Sequence, residues 1–129
     1  MKILAQLVWV ATGGAVGAMA RYGVSALMVN LGRTQFPWAT LLVNTGGSLL
    51  AGFLLVALTQ AHPEQVGARL FAVVGFLGAF TTFSAFSVDT LLLVQAGDWR
   101  AAGFNVVLNV FSSLLACVAG VALARTFVG

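Results

Sequence analysis

The chain has 129 residues, of which 60% are hydrophobic and 7% charged, with six Lys/Arg against three Asp/Glu for a net charge of +3. Soluble domains carry roughly 25% charged residues, so this supply cannot cover a water-facing surface, and a soluble fold, a nucleic-acid binder and a disordered tail are all excluded. The mean hydropathy of +1.04 is that of an integral membrane protein, and at about 20 apolar residues per span the length suits four helices.

Breakers and charges mark those four segments at about 3–29, 38–59, 70–94 and 101–127, a single all-α membrane domain over 1–129. The first ends near Asn30, Gly32, Arg33 and Pro37. It contains Gly13-Gly14-Ala15-Val16-Gly17, whose GxxxG spacing suits close helix packing. Lys2, the apolar run and Ala18-Met19-Ala20 also have the form of a signal peptide with its cleavage site. The run is glycine-rich and three more spans follow, which favours a retained helix. The second segment stops at Gln60, His62, Pro63 and Glu64, the third at Gly97, Asp98, Trp99 and Arg100. Trp9, Trp38 and Trp99 are candidate interfacial anchors. No alternation of polar and apolar residues recurs at the length of a barrel strand, so an all-β barrel is disfavoured. The single Cys117 cannot close an intrachain disulfide, and no His/Cys cluster suggests a soft metal.

Four spans place both termini on one side of the membrane. That side, with the 60–69 loop, collects Lys2, Arg69 and Arg125, and the other collects Arg33, Arg100 and the snorkelling Arg21. The positive-inside rule therefore returns no orientation. Either short loops make the count uninformative, or the protein inserts both ways and can pair as an antiparallel homodimer.

Polar residues within spans need a protein partner or a water-lined path. Thr40, Asn44 and Ser48 share one face of the second segment, and Asn105, Asn109 and Ser112 or Ser113 repeat the device in the fourth. One such stripe reads as helix packing; two stripes rich in amides make a polar path more plausible. The third segment is the most informative, with Gly75 and Gly78 ahead of Thr81, Thr82, Ser84 and Ser87. Glycine and hydroxyl residues weaken helix continuity, and carbonyls exposed at a break suit a hard cation such as Na⁺. An unbroken helix with back-bonded hydroxyls fits the same residues. Phe76, Phe80, Phe83 and Phe86 follow one helical face. Such a stripe serves core or lipid contact, or else turns its positive ring edges to a small anion. Arg21 and Asp89 lean toward the same membrane side and are expected to couple.

Gly78-Ala79-Phe80-Thr81-Thr82-Phe83-Ser84-Ala85-Phe86-Ser87 resembles the signature of the Fluc (CrcB) fluoride channels. Thr40-Leu41-Leu42-Val43-Asn44-Thr45-Gly46-Gly47 is similar to that family's second-helix motif, and Gly17-Ala18-Met19-Ala20-Arg21-Tyr22 to its first. The resemblance spans all four segments in order. It implies a fluoride-selective channel for passive export, built as a dual-topology antiparallel homodimer in the bacterial inner membrane. It further implies two pores, a broken third helix and a central structural Na⁺. By resemblance, Gly78 and Thr81 give backbone carbonyls to Na⁺, Phe83 and Phe86 line the pores, and Asn44 is the polar pore residue of the second helix. Thr82, Ser84 and Ser87 form a hydroxyl track, joined by Thr40, Asn109 and Ser113 as polar pore candidates, and Arg21 stands at an aqueous vestibule. Asn105 falls at a variable position of the family. Ala79 replaces a usual glycine, Ala85 a usual threonine and Asp89 a common glutamate.

Two rivals remain. A small dual-topology proton-coupled multidrug transporter needs a membrane-embedded acid at its substrate site, and the first segment has none while Asp89 comes late in the third. A non-conducting assembly subunit would use the glycines for packing alone. No nucleophile–base–acid arrangement is apparent, and His62, beside Pro63, reads as a solvated loop residue, so an enzyme is not expected.

Overall fold

Four glycines explain how the spans are paired. In the computed structural model, which describes residues 2–128, α1 (Ile3–Asn30) crosses the third span at Gly13 and Gly17. A methyl group at either position would run into the backbone carbonyl of Phe71 or Phe76. The second span, α2 (Trp38–Leu54, continued by wide π turns over Leu55–Gln60), meets the fourth, α5 (Trp99–Val128), in the same way. There Gly52 faces the Cys117 carbonyl and Gly120 faces that of Leu49. Two tight pairs, α1 with the third span and α2 with α5, thus make the bundle. Ala18–Ala20 lie mid-way along α1, which is continuous through them.

The four helical spans long and apolar enough to cross a membrane are Ile3–Asn30, Trp38–Gln60, Val66–Gln95 and Trp99–Phe127. The third begins ahead of the apolar run, at Val66, because the helix extends through Arg69 before the hydrophobic stretch. The fourth begins at Trp99 because Asp98, a stop signal by composition, is also its cap: the Ala101 N–H donates to Asp98 Oδ1 at 3.0 Å. Gly32 (φ 68°) and Gly97 (φ 79°) take the left-handed conformation that ends α1 and the third span.

The third span is where sequence alone left two readings, and it is broken. Its first half, α3 (residues 66–80), has π turns over Leu70–Leu77 and a last turn at Gly78–Phe80. Thr81 (ψ 156°) and Thr82 (φ −154°, ψ 120°) are extended, and α4 (Phe83–Gln95) resumes beyond them. The Phe76–Phe86 stripe is therefore not one face. It divides into a stacked Phe76–Phe80 pair on α3 (5.4 Å between ring centroids) and a tilted Phe83–Phe86 pair on α4 (5.2 Å).

Large apolar side chains such as Leu4, Val8, Phe111 and Leu115 cover the outside, as hydrocarbon solvent requires. Stability should therefore depend on the glycine crossings. Gly120→Ala and Gly13→Ala are each expected to cost about 1–3 kcal/mol through backbone overlap, read as a lower unfolding temperature in detergent. Gly23→Ala, with nothing within 4 Å of the added carbon, should leave that temperature within about 0.5 kcal/mol equivalent of the parent.

Candidate functional site

The break at Thr81-Thr82 is held by side chains from other spans. Asn44 on α2 grips Thr82 from both sides: its Nδ2 donates to the Thr82 carbonyl at 3.0 Å, and the Thr82 N–H donates to its Oδ1 at 2.8 Å. A side-chain amide carries a donor and an acceptor on two adjacent atoms spaced to meet a peptide's C=O and N–H together, which is why asparagine suits this position. Thr82 then caps α4, its Oγ1 accepting the Ala85 N–H at 3.0 Å. Thr81 closes the end of α3, its N–H and hydroxyl both donating to the Leu77 carbonyl at 3.0 and 2.9 Å.

These diversions free two carbonyls. In an unbroken helix the Thr82 N–H would donate to Gly78 and the Ala85 N–H to Thr81. Here the first goes to Asn44 and the second to the Thr82 hydroxyl. Gly78 and Thr81, the two positions singled out for Na⁺, are thus left with carbonyl oxygens released from the helix ladder. Such hard oxygen donors fit a hard cation. Among the described residues no group of three His, Cys, Asp or Glu is placed to hold a metal.

Beside the break lies an open groove of about 560 Å³, lined by Asn44, Gly78, Thr81, Thr82, Phe83, Phe86, Asn109 and Ser113 among others. Eight of the twelve sequence-nominated residues are therefore brought together there. No Lys, Arg, Asp or Glu lines it. The N-terminus of α4, with its positive end of the helix dipole, opens at the same place. The two phenylalanines differ: Phe86 is 8% exposed and packed within the chain, whereas Phe83 is 76% exposed. Gly78, Ser84 and Ser87 are exposed as well.

The other four candidates lie elsewhere. Ser84 Oγ is 3.1 Å from Thr82 Oγ1, so it adjoins the break without lining the groove. Ser87 donates back to the Phe83 carbonyl at 2.9 Å. Thr40 is buried and donates to Asp89 Oδ2 at 2.6 Å. Asp89 borders a second, smaller cavity of about 210 Å³ with Thr34, Gln35 and Phe36. Arg21 and Asp89, expected to couple, form no ion pair with each other within the chain. The carboxylate takes the Thr40 hydroxyl, and among the described residues no Lys or Arg pairs with an acid; the His62 ring meets Glu64 at 3.2 Å in an exposed loop contact. Sequence placed Arg21 and Asp89 at one depth but could not tell which helix faces meet. Arg21 is half-buried, its Nε shielded from solvent without a hydrogen-bond partner among the described residues.

Sequence reasoning undervalued Asn105. It is fully buried, and Asn109 Nδ2 donates both to its side-chain oxygen (2.8 Å) and to its carbonyl (3.1 Å). Its place four residues before Asn109 was the available signal. Thr45 and Ser112, whose hydroxyls meet at 2.6 Å, form a further α2–α5 link.

Fold and site together define a class: a four-span membrane protein whose third span is interrupted beside a neutral, polar and aromatic groove. The chain matches the family described as "CrcB-like protein, Camphor Resistance (CrcB)" over residues 8–121. It is 46% identical to the "Fluoride-specific ion channel FluC" of Aliivibrio salmonicida over 118 residues, 92% of this chain and 94% of the relative. It is 46% identical to the protein of that name from Magnetococcus marinus over 121 residues, 93% and 98% of the two chains. With the one from Ruminiclostridium cellulolyticum it shares 42% over 126 residues, 98% and 97%. The chain belongs to the CrcB family, and it is a multi-pass membrane protein.

Proposed function

We infer that the protein is a fluoride-selective channel that lets the anion leave the cell passively across the bacterial inner membrane. The observation that carries this is the groove itself: it offers hydroxyls, a helix N-terminus and aromatic rings, and among the described residues no Lys, Arg, Asp or Glu lines it. Fluoride is small and strongly hydrated, so several neutral donors must replace its water together. Hydroxyls of Thr82 and Ser113 and the ring edges of Phe83 and Phe86 serve as those partners, with the Ser84 hydroxyl adjoining Thr82 at the break. Neutral groups bind without trapping, whereas a buried lysine would hold the ion. Arg21, outside the groove, raises the local anion concentration near a vestibule. The relatives' printed name, fluoride-specific ion channel, points to the same ion.

The functional unit is an antiparallel, dual-topology homodimer with two pores. The groove is open on one side; Gly78 and Phe83 of its lining are exposed in one chain, as are Ser84 and Ser87 on α4. A second copy would close it, and Gly78, which has nothing within 4 Å of an added Cβ, permits close approach. The even split of positive charges between the two membrane sides suits insertion both ways. The carbonyls of Gly78 and Thr81 would hold a structural Na⁺, two from each copy; the cation would supply charge that keeps the two breaks together. The multidrug-exporter reading needs an acid at the substrate site. No acid lines the groove, and Asp89 is engaged by Thr40.

The test is efflux from liposomes containing the purified protein, followed with a fluoride electrode and repeated with chloride. Rapid fluoride efflux with chloride retained is the expected result. Equal passage of both anions would remove the selectivity argument, and proton-driven export of a cationic dye would favour the transporter.

A further inference from the structure

Three asparagines form one directed chain of hydrogen bonds whose polarity is fixed by backbone groups. Thr82 can only donate through its N–H and accept through its carbonyl, so the orientation of the Asn44 amide is determined. Asn44 Nδ2 also donates to Asn109 Oδ1 at 3.0 Å. That leaves Asn109 Nδ2 to donate to Asn105, at both its carbonyl and its Oδ1. Asn105 Nδ2 in turn donates to Thr90 Oγ1 at 2.9 Å, and Thr90 donates to the Phe86 carbonyl at 2.7 Å. The two ends of the chain are four residues apart, at Thr82, the cap of α4, and at Phe86 in its first turn. The result is a closed ring of bonds that ties the break to the first turn of α4 through α2 and α5.

Two consequences follow. Both amide hydrogens of Asn44, and both of Asn109, are spent inside the protein, so in this geometry neither residue has a free N–H for the groove. Their service is to hold Thr82. And Asn105, which lines neither the groove nor the smaller cavity at Asp89 and is 0% exposed, supports both arms of the ring. We propose that Asn105 is a positioning residue for the permeation path: through Asn109 and Asn44 it sets the Thr82 clasp, and through Thr90 it sets the Phe86 carbonyl, without touching the ion.

The proposal rests on the channel reading, and the experiment separates their failures. Fluoride efflux is measured for the parent protein, Asn105→Leu, Asn105→Asp and Thr90→Val, each normalised to protein that elutes as the parent does. A parent without fluoride flux refutes the channel reading itself. Given parental flux, Asn105→Leu should lose about tenfold or more, the scale at which loss of a group supporting a binding residue acts. Asn105→Asp keeps the acceptor for Asn109 and, once protonated, regains the donor for Thr90. Its flux should therefore recover as the pH is lowered, whereas that of Asn105→Leu should not. A purely structural role would lower the yield of folded protein without this pH-dependent rescue. Adding Asn105→Leu to Asn44→Ala should cost nothing further, since both act through one ring. Parental flux from folded Asn105→Leu overturns the proposal. If that variant does not fold, Thr90→Val decides: reduced flux upholds the ring, and parental flux refutes it.

Discussion

Asn44→Leu is expected to abolish fluoride efflux and to cost about 2–4 kcal/mol of stability. Leucine keeps nearly the same volume but removes three hydrogen bonds at once, two to the Thr82 backbone and one to Asn109. An unsatisfied buried polar group costs about 1–3 kcal/mol. Water in the open groove can reach Thr82, which is half-buried, so the cost falls toward and below the bottom of the roughly 3–9 kcal/mol that three such groups would sum to. The functional loss should exceed what stability alone explains. Without the clasp, the Thr82 N–H is free to return to the Gly78 carbonyl, and the helix can close over the break. That would withdraw one carbonyl proposed for the cation and re-aim Phe83. Asn44→Asp is the informative control, since it keeps the acceptor for the Thr82 N–H but loses the donor to the Thr82 carbonyl. It should retain part of the stability while still losing most of the flux. The two readouts are the unfolding temperature in detergent and liposome efflux; a stable Asn44→Leu protein with parental flux would show that the clasp is dispensable.

Much of this arrangement could be read from the sequence, and for a definite reason. Hydrocarbon solvent makes every polar residue within a span informative, so Thr40, Asn44, Asn109 and the Thr81–Ser87 hydroxyls stood out against an apolar background. Spacing then placed Asn44 and Asn109 on single helix faces, and the structure joins them directly at 3.0 Å. Three features did not follow from spacing. The break at Thr81-Thr82 depends on Asn44 from another span competing for a backbone N–H, and local composition allowed both an intact and a broken helix. The Phe76–Phe86 stripe assumed one continuous helix, so the break divided it into two pairs. Asp89 was matched to Arg21 by depth and charge, yet helix rotation gave it to Thr40, a neutral partner. Asn105 was discounted because its family position varies, although its burial and three hydrogen bonds, to Thr90 and Asn109, make it central to the network. Periodicity fixes faces within a helix; it does not say which faces meet.

Phe83→Leu is expected to cut fluoride flux by about thirtyfold while leaving the protein folded. Phe83 and Phe86 lie 5.2 Å apart between ring centroids with their planes tilted by 55°, and both line the groove. Leucine retains most of the apolar volume but carries no quadrupole, so it gives an anion neither a positive edge nor an aromatic partner for Phe86. An aromatic pair is worth about 0.5–1.5 kcal/mol beyond its area. With a comparable loss of ring-edge attraction, the total of about 2 kcal/mol corresponds to roughly thirtyfold at 1.36 kcal/mol per decade. Phe83 is 76% exposed in one chain, and volume-conserving swaps cost under about 1.5 kcal/mol even in cores, so unfolding should change little. Phe86→Leu should lower flux too, but with a measurable loss of stability, because that ring is 8% exposed and packed within the chain. The contrast separates electrostatics from packing: the two substitutions are chemically identical and differ in burial. Parental flux in Phe83→Leu, with chloride still excluded, would mean that the groove selects fluoride through its hydroxyls and helix end alone.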